Sequence, residues 1–228
     1  MQILKKAREL IEAEYNFKGD VEKLRARLRK EWYRDLDEEV YQNPAHLWEV
    51  YHCYADWTKV AVRAAIRKGA FDKCHTIVDF FGGIGLAAID YKEAYPDKAV
   101  YLHTTSKIEL KIARKLVKGT GVQVISNIRK LKDLKGKIGV SALEIFEHFQ
   151  DPINITQKLL FDYIDPQVLV ECSSFTVESI GHWPTYIYND MSIDNKKVAR
   201  LFHKYIREQG FEVTDRGWNN RPIIWDQL

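Results

Sequence analysis

The spacing of hydrophobic residues changes at Gly69, and that change constrains the fold of this 228-residue chain more than any other feature. Before it, apolar residues recur at helical spacing. After it, short β-rich runs alternate with helical stretches. The runs cover 75–80, 99–103, 122–126, 137–143 and 167–172, and the helical stretches cover 86–94, 107–118 and 153–164. Parallel strands need crossover connections, so this alternation predicts an α/β fold, an open and mostly parallel sheet with helices on both faces. The last segment differs. Asp194 is placed to cap a helix through Glu208, with Val198, Leu201, Phe202, Tyr205 and Ile206 on one face and Gly210 ending it. The runs 211–214 and 223–225 follow across a short link, as an antiparallel pair requires.

The first 70 residues read as helices. One covers 3–15. A second starts at Asp20, with Leu24, Leu28, Trp32, Leu36 and Val40 four residues apart. Asn43-Pro44 marks a break, and a third helix runs over 45–68 to Gly69. Residues 1–44 therefore form an N-terminal helical extension and 45–228 the main domain. Trp32, Tyr33, Tyr41, Trp48, Tyr51, Tyr54 and Trp57 bring aromatic area that the sheet, a lid or a second copy in a homodimer must bury. Packing against the sheet is the simplest of these.

Composition excludes several classes. Six Trp, twelve Tyr and ten Phe do not suit a disordered chain. No apolar run approaches the ~20 residues that span a bilayer, and the chain turns charged directly after Met1-Gln-Ile-Leu, with no apolar signal core. Cys53, Cys74 and Cys172 form no C-x-x-C pair, so the expectation is a reduced, cytoplasmic protein. The net charge of +3 conceals an asymmetry: residues 107–137 hold ten Lys and Arg against Glu109 and Asp133, a local +8 that leaves about −5 elsewhere. This stretch is a candidate surface for nucleic acid or another polyanion. A solvated helix face explains it equally simply, because Ile108, Ile112 and Leu116 share one side of a helix whose other side is basic. No aromatic residue is interleaved with the charges, as single-strand binding would favour.

The segment Ile77-Val78-Asp79-Phe80-Phe81-Gly82-Gly83-Ile84-Gly85-Leu86 carries the clearest chemical signal. An apolar strand ends at an acid, turns through three glycines and enters a helix, whose first N–H groups face a ligand beyond the carboxyl end of the sheet. In this position it resembles the first motif of class I S-adenosylmethionine-dependent methyltransferases, with wording close to the D-L-F-x-G-x-G turn of cytosine-C5 DNA methyltransferases. Ala142-Leu143-Glu144-Ile145-Phe146-Glu147-His148-Phe149-Gln150-Asp151-Pro152 resembles the segment after the fourth strand in many small-substrate members. The resemblance covers residues 45–228 and implies a seven-stranded sheet with the last strand inserted antiparallel. It further implies that Asp79, Phe80, Gly82, Gly83 and Gly85 line the methionine part of S-adenosylmethionine, with Asp79 at its ammonium group. Ala142, Leu143 and Glu144 would sit beside the sulfonium. Glu147 and His148 are placed either to meet substrate or to anchor the following helix.

The chain departs from that family at the second strand, which usually ends in an acid on the ribose hydroxyls. Here it ends His103-Thr104-Thr105-Ser106, leaving His103 or Thr104 for one such bond. After the third strand Asn127 takes the place of an Asp near the adenine amine. Gly83-Ile84-Gly85-Leu86-Ala87-Ala88 also fits G-x-G-x-x-A, and Thr104–Lys107 would suit the 2′-phosphate of NADP, so an NADP-dependent oxidoreductase is the rival reading. A noncatalytic, RNA-binding copy of the fold is a second rival.

No [DNS]-P-P-[YFW] loop and no Pro-Cys pair is present, which argues against base methylation. The long loop 176–191 contains Gly181-His182-Trp183-Pro184-Thr185-Tyr186 and leaves the sheet at the edge where substrate should enter. His182 is the candidate general base, Tyr186 the candidate orienting group, and His148 a further catalytic candidate. Trp183 and Tyr186 could equally close a lid. His46, His52, His75 and His203 show no metal-ligand spacing, and no metal site is expected. The acceptor is read as a small or nucleotide-like molecule.

Overall fold

β1 (Thr76–Phe80) is buried at all five positions, as a strand covered on both faces must be. It pairs in parallel with β2 (Ala99–His103) on one side and with β4 (Ile138–Leu143) on the other. β3 (Val122–Ile125) extends the sheet beyond β2, and β5 (Val168–Cys172) extends it beyond β4. β8 (Phe211–Arg216) and β9 (Ile223–Gln227) complete seven strands in the order β3-β2-β1-β4-β5-β9-β8, with β9 antiparallel to both neighbours. This is the architecture expected from the sequence. The computed structural model describes residues 2–15, 43–177, 179 and 181–228; the expected helix from Asp20 and the aromatics Trp32, Tyr33 and Tyr41 lie outside them.

The helices form two layers. Over one face lie α1 (Gln2–Tyr15), α2 (Pro44–Cys53), α3 (Lys59–Arg67), α4 (Leu86–Ala94) and α5 (Lys107–Leu116). Ile11, Leu47, Val62, Ala88 and Ile112 bring these five helices into one core with Ile77, Val100 and Val170 of the sheet. Under the other face lie α6 (Pro152–Thr156) and α7 (Asn195–Glu208), and α7 shares a core of Val198, Phe202 and Ile206 with Val78, Val140 and Trp225 of the sheet. Local signals set the ends. Asn43 Oδ1 accepts from Ala45 N at 3.0 Å ahead of Pro44, Ser106 caps α5, and Asp194 Oδ1 accepts from Lys197 N at 2.8 Å.

Three expectations need correction. The helix expected over 45–68 is two α-helices joined by a π-turn, Tyr54–Thr58, in which Tyr54 turns inward to donate its hydroxyl to Asp90 while Trp57 stays 67% exposed. The helix expected over 153–164 is α6 followed by a second π-turn, Gln157–Phe161. The loop 176–191 contributes a strand to a small hairpin, β6 (Tyr186–Tyr188) with β7 (Met191–Ile193). No helix among the described residues is long and apolar enough to cross a membrane.

The basic stretch is partly accounted for within the fold. Lys111 and Lys115 on α5 both pair with Glu14 of α1, and Lys6 donates to Leu116 O at 3.1 Å. Lys132 lies 4.5 Å over the ring of Tyr163. Part of the charge read as a nucleic-acid surface therefore clamps α1 to the second helix of the α/β unit.

Candidate active site

The turn after β1 is built on a buried acid. Asp79 is 2% exposed and its Oδ2 accepts from Ala88 N, on the first turn of α4, at 3.1 Å. Burial pushes this carboxyl up to about 7. A Cβ at Gly82 would stand 2.1 Å from that same Oδ2, so any larger residue there would have to displace the carboxyl of Asp79. Gly82 N donates to His103 O at 3.0 Å and Gly85 N to Gly82 O at 2.9 Å, which folds the turn onto the end of β2. Gly83 and Gly85 have φ of +55° and +89°, and Phe81 takes +50°. The resemblance implied that Asp79 holds the cofactor's ammonium group. Here the carboxyl lies beneath the turn and ties it to the first turn of α4. Phe80 is likewise buried, stacked on His103 with centroids 5.3 Å apart.

At the neighbouring strand ends, His103 is fully buried and neither ring nitrogen has a hydrogen-bond partner. Burial pulls its pKa down to about 4, so the ring is neutral. Thr104 donates its hydroxyl to Glu109 Oε2, and the other oxygen of that carboxylate lies 2.9 Å from His46 Nε2 on α2. Sequence reasoning missed Glu109, which it counted only as a minor opponent of the basic run. Its position removes the basis of the NADP reading, because a 2′-phosphate at Thr104 would face a carboxylate. Asn127 is exposed and its Oδ1 accepts from Arg129 N at 3.0 Å. The oxygen expected to take the adenine amine caps a 3₁₀ turn instead.

β4 and β1 are hydrogen-bonded neighbours, with Asp79 opposite Ser141, so the segment after β4 abuts the glycine turn. Ala142 and Leu143 are buried at its end. Glu144, at φ +56°, accepts from Cys172 Sγ at 3.0 Å and lies within hydrogen-bonding reach of Glu147. Glu147 is fully buried: Oε1 accepts from Ser174 N at 2.9 Å, and among the described residues no donor is bonded to Oε2. Burial and the adjacent Glu144 hold its carboxyl well above the usual range. His182 Nδ1 donates to Val177 O at 2.7 Å, and its Nε2 lies 3.9 Å from Glu147 Oε1. The rings of His148 and His182 lie edge to face, 5.0 Å apart.

One ligand atom from each of Glu147, His148 and His182 lies within 4.8 Å of the others. The expectation of no metal site did not foresee this cluster. Its donors suit a divalent cation. Two neutral imidazoles and a carboxylate form a nitrogen–oxygen set, the His182 tautomer is fixed by a backbone carbonyl, and Glu147 Oε2 is a buried acceptor in need of a partner. Burial and His182 pull His148 down to about 3, and burial also lowers His182. Both are therefore neutral at neutral pH and weaker bases than a free imidazole, unlike the general base expected at His182. Tyr186 is corrected too: fully buried, it donates to Glu147 O at 3.1 Å and supports the cluster from below rather than facing an acceptor. The run Glu144-x-x-Glu147-His148 was the visible signal. His182, 34 residues further on, joins it only through the fold.

The β8–β9 turn rises at the same edge, since Glu171 near the end of β5 pairs with Ile223. It brings Arg221 Nη1 to 4.0 Å from Glu144 and leaves Trp218 84% exposed. From above, α2 crosses the edge: a Cβ on Gly83 would stand 2.5 Å from Val50 Cγ1, and Cys53 feels the charges of Glu144 and Glu147.

No protein-family model matches the chain, and no curated protein matches it in sequence. Solved structures do match its fold. An O-methyltransferase family protein from Burkholderia thailandensis aligns with a TM-score of 0.61 at 12% identity, covering 98% of this chain and 71% of that one. The methyltransferase domain of bacterial-CtHen1-CN gives 0.55 at 12% identity, covering 76% and 100%. The small RNA methyltransferase HEN1 gives 0.53 at 14% identity, covering 75% of this chain and 25% of that one. The fold is that of the class I S-adenosylmethionine-dependent methyltransferases. The strand order, the glycine turn and the segment after β4 are where that fold places them.

Proposed function

We propose that the protein transfers a methyl group from S-adenosylmethionine to a hydroxyl oxygen of a nucleotide-like acceptor, with a divalent cation at Glu147, His148 and His182. The observation that carries this reading is the grouping of Glu147, His148 and His182 in the segment and loop that follow β4 and β5, with β4 the hydrogen-bonded neighbour of the strand that leads into the glycine turn. When bound, S-adenosylmethionine supplies the electrophilic methyl carbon, and the cation supplies the positive charge that lowers the pKa of an acceptor hydroxyl. The chain's own residues do the positioning. Backbone groups of residues 81–85 cradle the methionine end, and Ala142 and Leu143 wall the reacting centre. Glu147 and the two imidazoles converge on one point beside it. Glu144 is in place to take the hydroxyl proton. An amine acceptor would not need this set; a hydroxyl does, because it is a poor nucleophile until its proton leaves. Trp218 and Arg221 at the mouth offer a stacking face and a phosphate partner to a nucleotide. Among the structures similar in fold are a bacterial Hen1 methyltransferase domain and the small RNA methyltransferase HEN1, so an RNA end with free ribose hydroxyls is the first acceptor to test.

The test is methyl transfer from radiolabelled S-adenosylmethionine to RNA oligonucleotides, nucleosides and small phenols, with Mn²⁺, Mg²⁺ or EDTA. The expected result is transfer to a hydroxyl that EDTA abolishes and that His182→Ala lowers about 100-fold, as loss of a metal ligand does. Transfer unaffected by EDTA would overturn the metal role. Absence of binding to both S-adenosylmethionine and S-adenosylhomocysteine, together with salt-sensitive RNA binding, would favour the noncatalytic alternative.

A further inference from the structure

Among the described residues six large apolar side chains stay exposed, and four of them, Trp57, Val60, Val177 and Trp218, stand on segments tied to the stretch after β4 or to His182. Trp57 is in the π-turn and Val60 follows three residues later, so the two share a face at the head of α3. Thr58, next to Trp57, meets Cys53 Sγ at 3.4 Å, and Cys53 is close enough to Glu144 and Glu147 to feel both charges. Val177 gives its carbonyl to His182. Trp218 opens the β8–β9 turn, whose Arg221 Nη1 reaches Glu144 at 4.0 Å.

Single apolar residues scattered over a surface need no explanation, but four gathered about one site do, two of them indoles exposed by 67% and 84%. Trp218 is held outward by its turn. Gly217 N donates to Pro222 O at 2.7 Å and Arg221 N to Trp218 O at 3.1 Å, and a Cβ on Gly217 would run into Arg221 O. Trp57 faces out of the same π-turn that sends Tyr54 inward to Asp90. A protein partner is met by one continuous apolar face, whereas bases joined by phosphates are met by separate rings with cations among them. Here the rings come on two turns, Arg221 stands between one of them and the site, and Arg129 and Lys130 lie exposed in the 3₁₀ turn after β3, at the same edge of the sheet. The basic run 107–137 has no aromatic residue of its own, and the fold supplies them from positions 57 and 218.

We propose that Trp57 and Trp218 are two stacking platforms for the bases of a single-stranded RNA end whose ribose lies at Glu147, His148 and His182, so that the protein selects an unpaired end and not a base sequence. The inference rests on the nucleotide-like acceptor proposed above, and adds to it a second platform and the strand state of the acceptor. Stacking on indoles is blind to sequence because every base has a π-face. Bases locked in a duplex cannot turn onto such rings, so pairing of the end competes with binding.

Fluorescence anisotropy of short 5′-labelled RNAs with the full-length protein and Mg²⁺ tests this. Trp57→Ala and Trp218→Ala are each expected to weaken binding of a single strand about tenfold. Trp57→Phe and Trp218→Phe are expected to restore it, which a damaged fold would not allow. An RNA whose last two residues lack bases should bind weakly, and equally to the parent and to both alanine variants, because the partners of the indoles are gone. Alanine variants that bind the single strand as the parent does would overturn the proposal, as would a blunt duplex bound as tightly as the single strand. Dimerisation of the parent that either alanine variant abolishes would instead assign the indoles to a contact between copies. Methyl transfer to a phenol by a protein that binds no RNA would remove the platforms and leave the methyl-transfer reading standing. Tryptophan-dependent RNA binding without any binding of S-adenosylhomocysteine would do the reverse.

Discussion

Asp79 exchanges hydration for a single described hydrogen bond from Ala88 N, and the cost appears in its pKa. The ordinary value is 3.8 and the folded value about 7, so the native state holds this proton more tightly than the unfolded chain does. The sign follows: the stabilising contribution is complete below about pH 4 and is lost as pH rises through 7. Two-state urea unfolding of Asp79→Asn and the parent at pH 5 and pH 8 should show the variant gaining relative stability with pH, by on the order of 3 kcal/mol. A pH-independent difference would contradict the assignment. At this scale the sequence was informative where chemistry and location coincide. Asp79 and the three glycines stand in one run, so the turn was legible. Thr104 with Glu109 and His46, and Glu147 with His182, are pairs of remote residues, and nothing in either local stretch announces its partner. Asn127 has a local structural task that its residue type also suits: its Oδ1 accepts from Arg129 N at the start of a 3₁₀ turn.

Among the elements, those with a regular period and a cap were predictable almost to the residue. α4 and β2 occupy 86–94 and 99–103, as their apolar patterns require. The two π-turns were not, because an inserted residue leaves the composition of a helix unchanged and is decided by tertiary partners such as Tyr54 with Asp90. The β6–β7 hairpin was missed because its three-residue strands lie inside an aromatic loop. α1 owes its position partly to charge: Glu14, 14% exposed, meets both Lys111 and Lys115 of α5. Glu14→Lys should lower the melting temperature by about 2–4 °C at low ionic strength, and the loss should shrink in 1 M salt. An equal loss at both salt concentrations would assign the effect to packing.

On the scale of the whole molecule, alternation of strands and helices was enough to predict the sheet, because crossover geometry leaves few alternatives. The site follows from that topology: ends of β1, β2, β4 and β5 and the β8–β9 turn meet at one edge. The cation proposed at Glu147, His148 and His182 would join the segment after β4 to the loop after β5, so its binding should report on global stability. Glu147 holds its proton above the usual carboxylate range and must release it to become a ligand. Mn²⁺ should therefore raise the melting temperature more at pH 8 than at pH 6, with proton release visible when calorimetry is repeated in buffers of different ionisation enthalpy. A shift that does not depend on pH would remove Glu147 from the ligand set.

The placement of β9 has a consequence for how the molecule comes into being. The strand that joins β5 to β8 is the last one made, and Trp225, fully buried, belongs to it. While residues 223–227 are still inside the ribosome, β5 has an open edge and β8 has no partner in the sheet. The first five strands with their helices can gather during synthesis, but the sheet closes only after translation has passed them. Until then β5 presents unpaired backbone groups along Leu169 and Val170, an edge open to non-native strand pairing.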